Sequence, residues 1–205
     1  SSDEYVKIIS MMRTKYVNAD IKICRDHCGP GFCRDDMEFV MQSISSDISC
    51  KFDLIHIDLS KINGTHDDVI QSTVNVAEFI KGTNPDILLE IGTEDSTTKE
   101  IELHQVISDI KLLRNVCMPE FFVICTGSLV KGLGNIGSFK KLSIRPVVDY
   151  IHSNGIKVKE HNADYLSKEE ILKREGLVDA MNIAPQLGVI QTSVTLTKCL
   201  KYGID

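Results

Sequence analysis

Short, unbroken apolar runs alternate along the chain with longer stretches in which apolar residues recur every three or four positions. The runs at 21–24, 54–58, 87–91, 121–125, 156–159 and 180–183 are continuous rather than alternating, which predicts strands covered on both faces. Between them the spacing predicts helices over 35–46, 67–81, 98–116, 141–153 and 168–175, flanked by two more near 4–16 and 189–202. Punctuation agrees. Ser167-Lys168-Glu169-Glu170 is a capping box, Asn154-Gly155 is a left-handed stop, and Asn84-Pro85 ends the helix before the third strand.

Regular alternation of strand and helix implies an α/β fold with a parallel sheet. A doubly wound sheet and a barrel both satisfy that pattern. Polar residues separate the two, because they stand at the C-terminal end of every predicted strand: Asp26 and His27, His56 and Asp58, Glu90 and Glu94, Thr126 and Ser128, His161, and Asn182. An open sheet concentrates its site at one switch point, whereas a barrel collects residues from many strand ends. The expectation is a single (β/α)8 TIM-type barrel domain over residues 1–205. It is incomplete, with about six strands visible and the first and last missing; an open six-stranded sheet is the alternative.

The chain has 205 residues, 42% of them apolar, and a net charge of −6. An acidic balance argues against nucleic-acid or anionic-membrane partners, since phosphates need a positive field. No apolar run approaches the roughly 20 residues of a membrane span. The first residues, Ser1-Ser2-Asp3-Glu4, have neither the basic nor the apolar region of a signal peptide. Seven cysteines, an odd number, predict free thiols in a reducing cytoplasm, with Cys24, Cys125 and Cys199 in apolar surroundings.

Five strand-end motifs, read in order, resemble one family. They are Arg25-Asp26-His27-Cys28-Gly29-Pro30, Ile55-His56-Ile57-Asp58-Leu59-Ser60, Ile91-Gly92-Thr93-Glu94, Glu160-His161-Asn162-Ala163-Asp164-Tyr165 and Asn182-Ile183-Ala184-Pro185-Gln186-Leu187. Together they are similar to the Z-type, accessory subunits of class II tagatose-bisphosphate aldolase, and more faintly to the catalytic class II aldolases. The resemblance implies a barrel that performs or supports aldol chemistry on a phosphorylated sugar, beside a catalytic or identical subunit. It also implies that Asp26 is the acid/base, that His27 and His161 are zinc ligands and that Asn182 binds substrate. The segment Cys125-Thr126-Gly127-Ser128 lacks the further histidine that catalytic members place there.

The residues themselves fit that chemistry. His27 and His161 are the expected ligands of a divalent metal, zinc above all, with Glu90 or Glu94 adding a carboxylate; the metal would polarise a ketose carbonyl and stabilise an enediolate. Asp26 and Glu94 are the catalytic candidates. His56, Asp58, Glu90, Ser128 and Asn182 are the candidate substrate-binding groups; His56 and Asp58, two apart on a strand, face the same way. Asp58 and Asp164 are the expected partners that orient the metal-binding imidazoles. Hydrogen bonding within a purely structural polar network accounts for the same histidines equally well.

The glycines from Gly132 to Gly137 predict a loop over the site rather than a nucleotide fingerprint, and no nucleotide is expected. The spacing of Cys24, Cys28 and Cys33 fits an iron–sulfur site poorly. Three functions remain open: an aldolase-like enzyme, a non-catalytic partner subunit that stabilises a class II aldolase, and a Schiff-base aldolase using Lys157 or Lys159.

Overall fold

The structure, a computed structural model, describes residues 2–32, 36–92 and 102–204. In chain order the elements are α1 (Ser2–Lys15), β1 (Cys24–Cys28), α2 (Met37–Ser49), β2 (Leu54–Asp58), α3 (His66–Thr83), β3 (Leu88–Gly92), α4 (Leu103–Leu113) and β4 (Phe121–Ile124). There follow β5 (Val130–Lys131), β6 (Gly134–Asn135), α5 (Lys141–Ser153), β7 (Lys157–Glu160), α6 (Lys168–Leu172), β8 (Ala180–Met181) and α7 (Pro185–Tyr202). Six strands form one parallel sheet in the order β1-β2-β3-β4-β7-β8, and β5 and β6 form a separate antiparallel hairpin. No helix is long and apolar enough to cross a membrane, among the described residues.

Side-chain alternation sorts the sheet into two faces. Ile55, Ile57 and Leu89 pack under α2 and α3, while Ile91, Phe122, Ile124 and Val158 pack under α4 and α5. The intervening residues His56, Glu90 and Lys159 face the other side. That inner face is polar because the sheet curls around it. In a flat six-stranded sheet the outer strands would lie roughly 24 Å apart at about 4.8 Å per step. Here Asn182, just beyond β8, donates from Nδ2 to Asp26 Oδ2 of β1 across 3.2 Å. The fold is α/β with a curled, half-barrel sheet whose strands β1 and β8 are its two edges.

Capping explains where most helices start. Asp36 accepts from Glu38 N, Thr65 and Asp68 form a reciprocal box on α3, and Ser167 accepts from Glu170 N as its sequence predicts. Ala184 has no side chain that can cap α7. Asp164, from the loop after β7, reaches over instead and accepts from Ala184 N at 3.1 Å and Gln186 N at 2.8 Å.

Several boundaries move. Strand β1 starts where the run at 21–24 was expected to end. Ile23 is buried at its foot, and its carbonyl already takes the amides of Asp53 and Leu54 before the ladder begins at Cys24. Residues 132–137, expected as a loop over the site, include the turn and second strand of the β5–β6 hairpin. Gly137 lies so close to Gly127 that a Cβ would stand 2.1 Å from its carbonyl oxygen, so this glycine serves loop packing. The early part of the helix expected over 98–116 lies outside the described residues, as does Cys33. Cys24, Cys125 and Cys199, expected as buried thiols, are all half-buried instead, Cys199 on α7, which buries none of its residues.

Candidate functional site

A bulge builds the site's first corner. Along β1 and β2 the register runs from Arg25↔Ile55 to Cys28↔Ile57, so Asp26 and His27 together oppose His56 alone. Adjacent strand residues ordinarily point to opposite faces. The bulge, with His27 in the left-handed region at φ 49°, turns both side chains toward the mouth. Gly29 then passes so close to β2 that a Cβ would sit 1.7 Å from the Asp58 carbonyl oxygen.

Residues from β1, β2, β3, β7 and β8 meet there. Asp26 Oδ1 lies 3.0 Å from His56 Nδ1, and Glu90 Oε1 lies 3.5 Å from the same nitrogen. His27 Nδ1 lies 2.7 Å from Asp58 Oδ2, while Ser60 donates to the other Asp58 oxygen. The His161 ring stacks on His27 at 4.9 Å between centroids, and Asn182 Nδ2 lies 3.3 Å from His161 Nδ1. Lys159 Nζ stands 2.7 Å from both Glu90 oxygens. Among the described residues, two groups have donor atoms close enough together to hold a cation: His27, His56 and His161, and Asp26, His56 and Glu90.

Electrostatics separates the histidines. Burial pulls His27 down, but the Asp58 hydrogen bond and the charges of Asp26 and Asp58 outweigh it and raise its pKa. His161 has no such carboxylate partner; burial, then repulsion from His56 and His27, pushes it down to about 4. Burial works to raise Asp26, yet the hydrogen bond from His56, the charge of His27 and the hydrogen bond from Asn182 hold it well below the usual carboxylate range. Asp58 is likewise held low against its burial, first by His27 and then by Ser60.

Asp26, His27, His56, Asp58, Glu90, His161 and Asn182 are therefore brought together. Ser128 is not available through its side chain. It is only 4% exposed, its hydroxyl donates to Glu160, and it accepts from Arg174 Nη2 at 2.7 Å. Asp164 caps α7 rather than orienting His161, a role its neighbouring sequence position suggested. Glu94 lies outside the described residues. Lys157 Nζ pairs with Glu120 at 2.6 Å at the opposite end of the strand, and that bond raises its pKa. The sequence reading missed Glu160 and Arg174, which pair at 2.5 Å while almost fully buried. A charged residue at the last strand position, and an arginine after the short helix, were the only signals.

A curled parallel sheet with polar groups at its strand C-termini has the layout of the functional face of a (β/α) barrel. No family model matches the chain, and no curated protein matches it. By structure it is similar to a probable tagatose 6 phosphate kinase from Sinorhizobium meliloti 1021, with TM-score 0.74 and 13% identity over 92% of this chain and 54% of that one. It is also similar to the YdjI aldolase from Escherichia coli K12, with TM-score 0.68 and 14% identity over 97% of this chain and 64% of the other. The fructose-bisphosphate aldolase from Campylobacter jejuni matches with TM-score 0.68 and 12% identity over 89% and 56%. The chain thus has an aldolase-like fold and spans between about half and two thirds of the length of these structures.

Proposed function

We propose that this chain performs aldol-type carbon–carbon cleavage or condensation on a phosphorylated sugar, in the cytoplasm, at the mouth of its half-barrel. The observation that carries the reading is the convergence of Asp26 and His27 from edge strand β1 with His161 from the end of β7, with three strands between them across the curled sheet. A divalent metal, zinc by donor type, fits beside them, because His27 and His161 offer stacked imidazoles in a mouth rich in carboxylates. When bound, it supplies Lewis-acid polarisation of the ketose carbonyl.

The chain's own residues do the rest. Asp58 fixes the His27 ring by accepting a hydrogen bond from its Nδ1–H, which leaves the Nε2 lone pair for a metal. Asp26, kept ionised by His56 and Asn182, accepts the hydroxyl proton whose loss lets the adjacent C–C bond break, and returns it in condensation. Asn182, tethered to Asp26 and His161, orients the sugar. Glu94, two positions after β3 in the sequence, is proposed as a second catalytic carboxylate.

A second reading, suggested by the motif resemblance, is a Z-type partner subunit that stabilises a catalytic class II aldolase. The observation favouring it is that the end of β4 bears no metal-binding histidine and is instead locked by Thr126 and Ser128 donating to buried Glu160. The Schiff-base reading is weaker, because both of its lysines are ion-paired.

Incubating the purified, zinc-supplemented protein with a ketose bisphosphate and following triose phosphate release tests the proposal. Release that disappears in Asp26→Asn supports catalysis. No release alone, with faster release from an added class II aldolase, establishes the partner reading instead.

A further inference from the structure

His56 occupies the middle of β2 and is 0% exposed. Its two ring nitrogens are in different situations. Nδ1 faces two carboxylates, Asp26 at 3.0 Å and Glu90 at 3.5 Å; the His27 amide, at 3.3 Å, is the weaker neighbour. Two anions place the ring proton on Nδ1, which leaves Nε2 a bare lone pair. That Nε2 is buried and has no hydrogen-bond partner in the structure. A buried acceptor left unmet is uncommon enough to require a reason.

The space around it supplies one. Gly92 stands beside the ring, and a Cβ there would come within 3.3 Å of Nε2. The other two imidazoles of the mouth are adjacent, with ring centroids 5.1 Å away for His27 and 5.4 Å for His161. Donor atoms of all three lie within 4.8 Å of one another. Asp26 and Glu90 also flank His56, on its Nδ1 side; Lys159 pairs with Glu90, whose Oε1 makes no hydrogen bond, and Asn182 holds Asp26.

We infer that His56 is a metal ligand, completing with His27 and His161 a three-imidazole site for a divalent transition ion. The inference rests on the reading that a metal binds in the mouth. It goes beyond that reading by taking the third donor from β2, since the end of β4 offers none. A carboxylate on the far nitrogen of a ligating histidine is the arrangement that sets its tautomer and strengthens it as a donor, and Asp26 stands in that position for His56. Three neutral nitrogen donors favour zinc, cobalt, nickel or copper over magnesium or calcium.

The test is a titration of the purified protein with Co(II), followed by its visible absorption, with Zn(II) competition read calorimetrically. The expected result is one cobalt per chain with a four-coordinate spectrum. His56→Gln should weaken binding at least roughly 10–100-fold and change the spectrum, with the fold checked by circular dichroism. Gly92→Ala removes no donor but crowds Nε2, so it too should weaken binding, and it decides the matter if His56→Gln fails to fold. Wild-type affinity and spectrum in either folded variant would overturn the assignment of His56 while leaving a metal on His27 and His161 intact. No cobalt uptake by the wild type would overturn both.

Discussion

Asp26 and His27 are sequence neighbours that reach the same cavity only because β1 carries one residue more than β2 opposite His56. The alternation that puts His56 and Asp58 on one face is legible in the sequence, since period two is a property of any strand. The bulge is not legible, because it belongs to a pairing between strands rather than to either one. Gly29 marks its end, and the close approach of its backbone to the Asp58 carbonyl makes Gly29→Ala a sharp probe. The added Cβ forces β1 away from β2, so we expect a loss of about 2–4 kcal/mol in urea denaturation, the range of severe steric substitutions. The metal-free histidines should also titrate apart by NMR. His161 should stay neutral down to about pH 4 while His27 protonates above the usual imidazole value. Because unfolded His161 takes up a proton near pH 6.5 and folded His161 does not, its own contribution to stability falls as pH drops from 6.5 toward 4. Equal, unshifted titration of the two rings would contradict the stacked arrangement.

At the scale of elements, β2, β3 and α5 lie where continuous runs and helical periodicity predict them, because their apolar residues are buried under neighbours that the same pattern creates. The β5–β6 hairpin and the start of α7 were hidden, since each depends on a distant partner. Asn135 straps the hairpin to the carbonyls of Asn162 and Asp164, and Asp164 caps α7 from 20 residues upstream. Asp164→Ala should cost about 1 kcal/mol and speed hydrogen exchange at the Gln186 amide. Unchanged exchange there would argue against the cap. The Glu160–Arg174 pair locks the loop after β4 against the helical layer. Glu160→Gln leaves the buried Arg174 guanidinium with only the longer contact to part-exposed Glu170, at 3.4 Å, and should cost about 3–5 kcal/mol in thermal or urea unfolding. The double change Glu160→Gln with Arg174→Met removes the stranded charge and should recover part of that loss. A double variant as damaged as the sum of its singles would mean that the two residues do not act as a pair.

Over the whole molecule, the polar strand ends were the signal that distinguished a curled sheet from a flat one, and the Asn182–Asp26 bond is the direct sign of the curl. The roles of the converging groups were less legible, because chemistry depends on which atoms face each other. Ser128 sits in the right segment but spends its hydroxyl on Glu160, whereas His56, expected only to touch substrate, has a buried Nε2 with no hydrogen-bond partner. The central claim is that this mouth can labilise a proton on a ketose phosphate. Its most direct measurement is NMR of solvent deuterium exchange into the carbon next to the carbonyl of a small ketose phosphate, using zinc-loaded protein. The account predicts exchange above the zinc-only background that Asp26→Asn retains, while the variant's C–C cleavage, which needs Asp26 at the hydroxyl proton, slows by roughly 10²–10⁴-fold. Background-level exchange by folded, zinc-loaded wild-type protein would contradict it and leave the partner-subunit reading in its place.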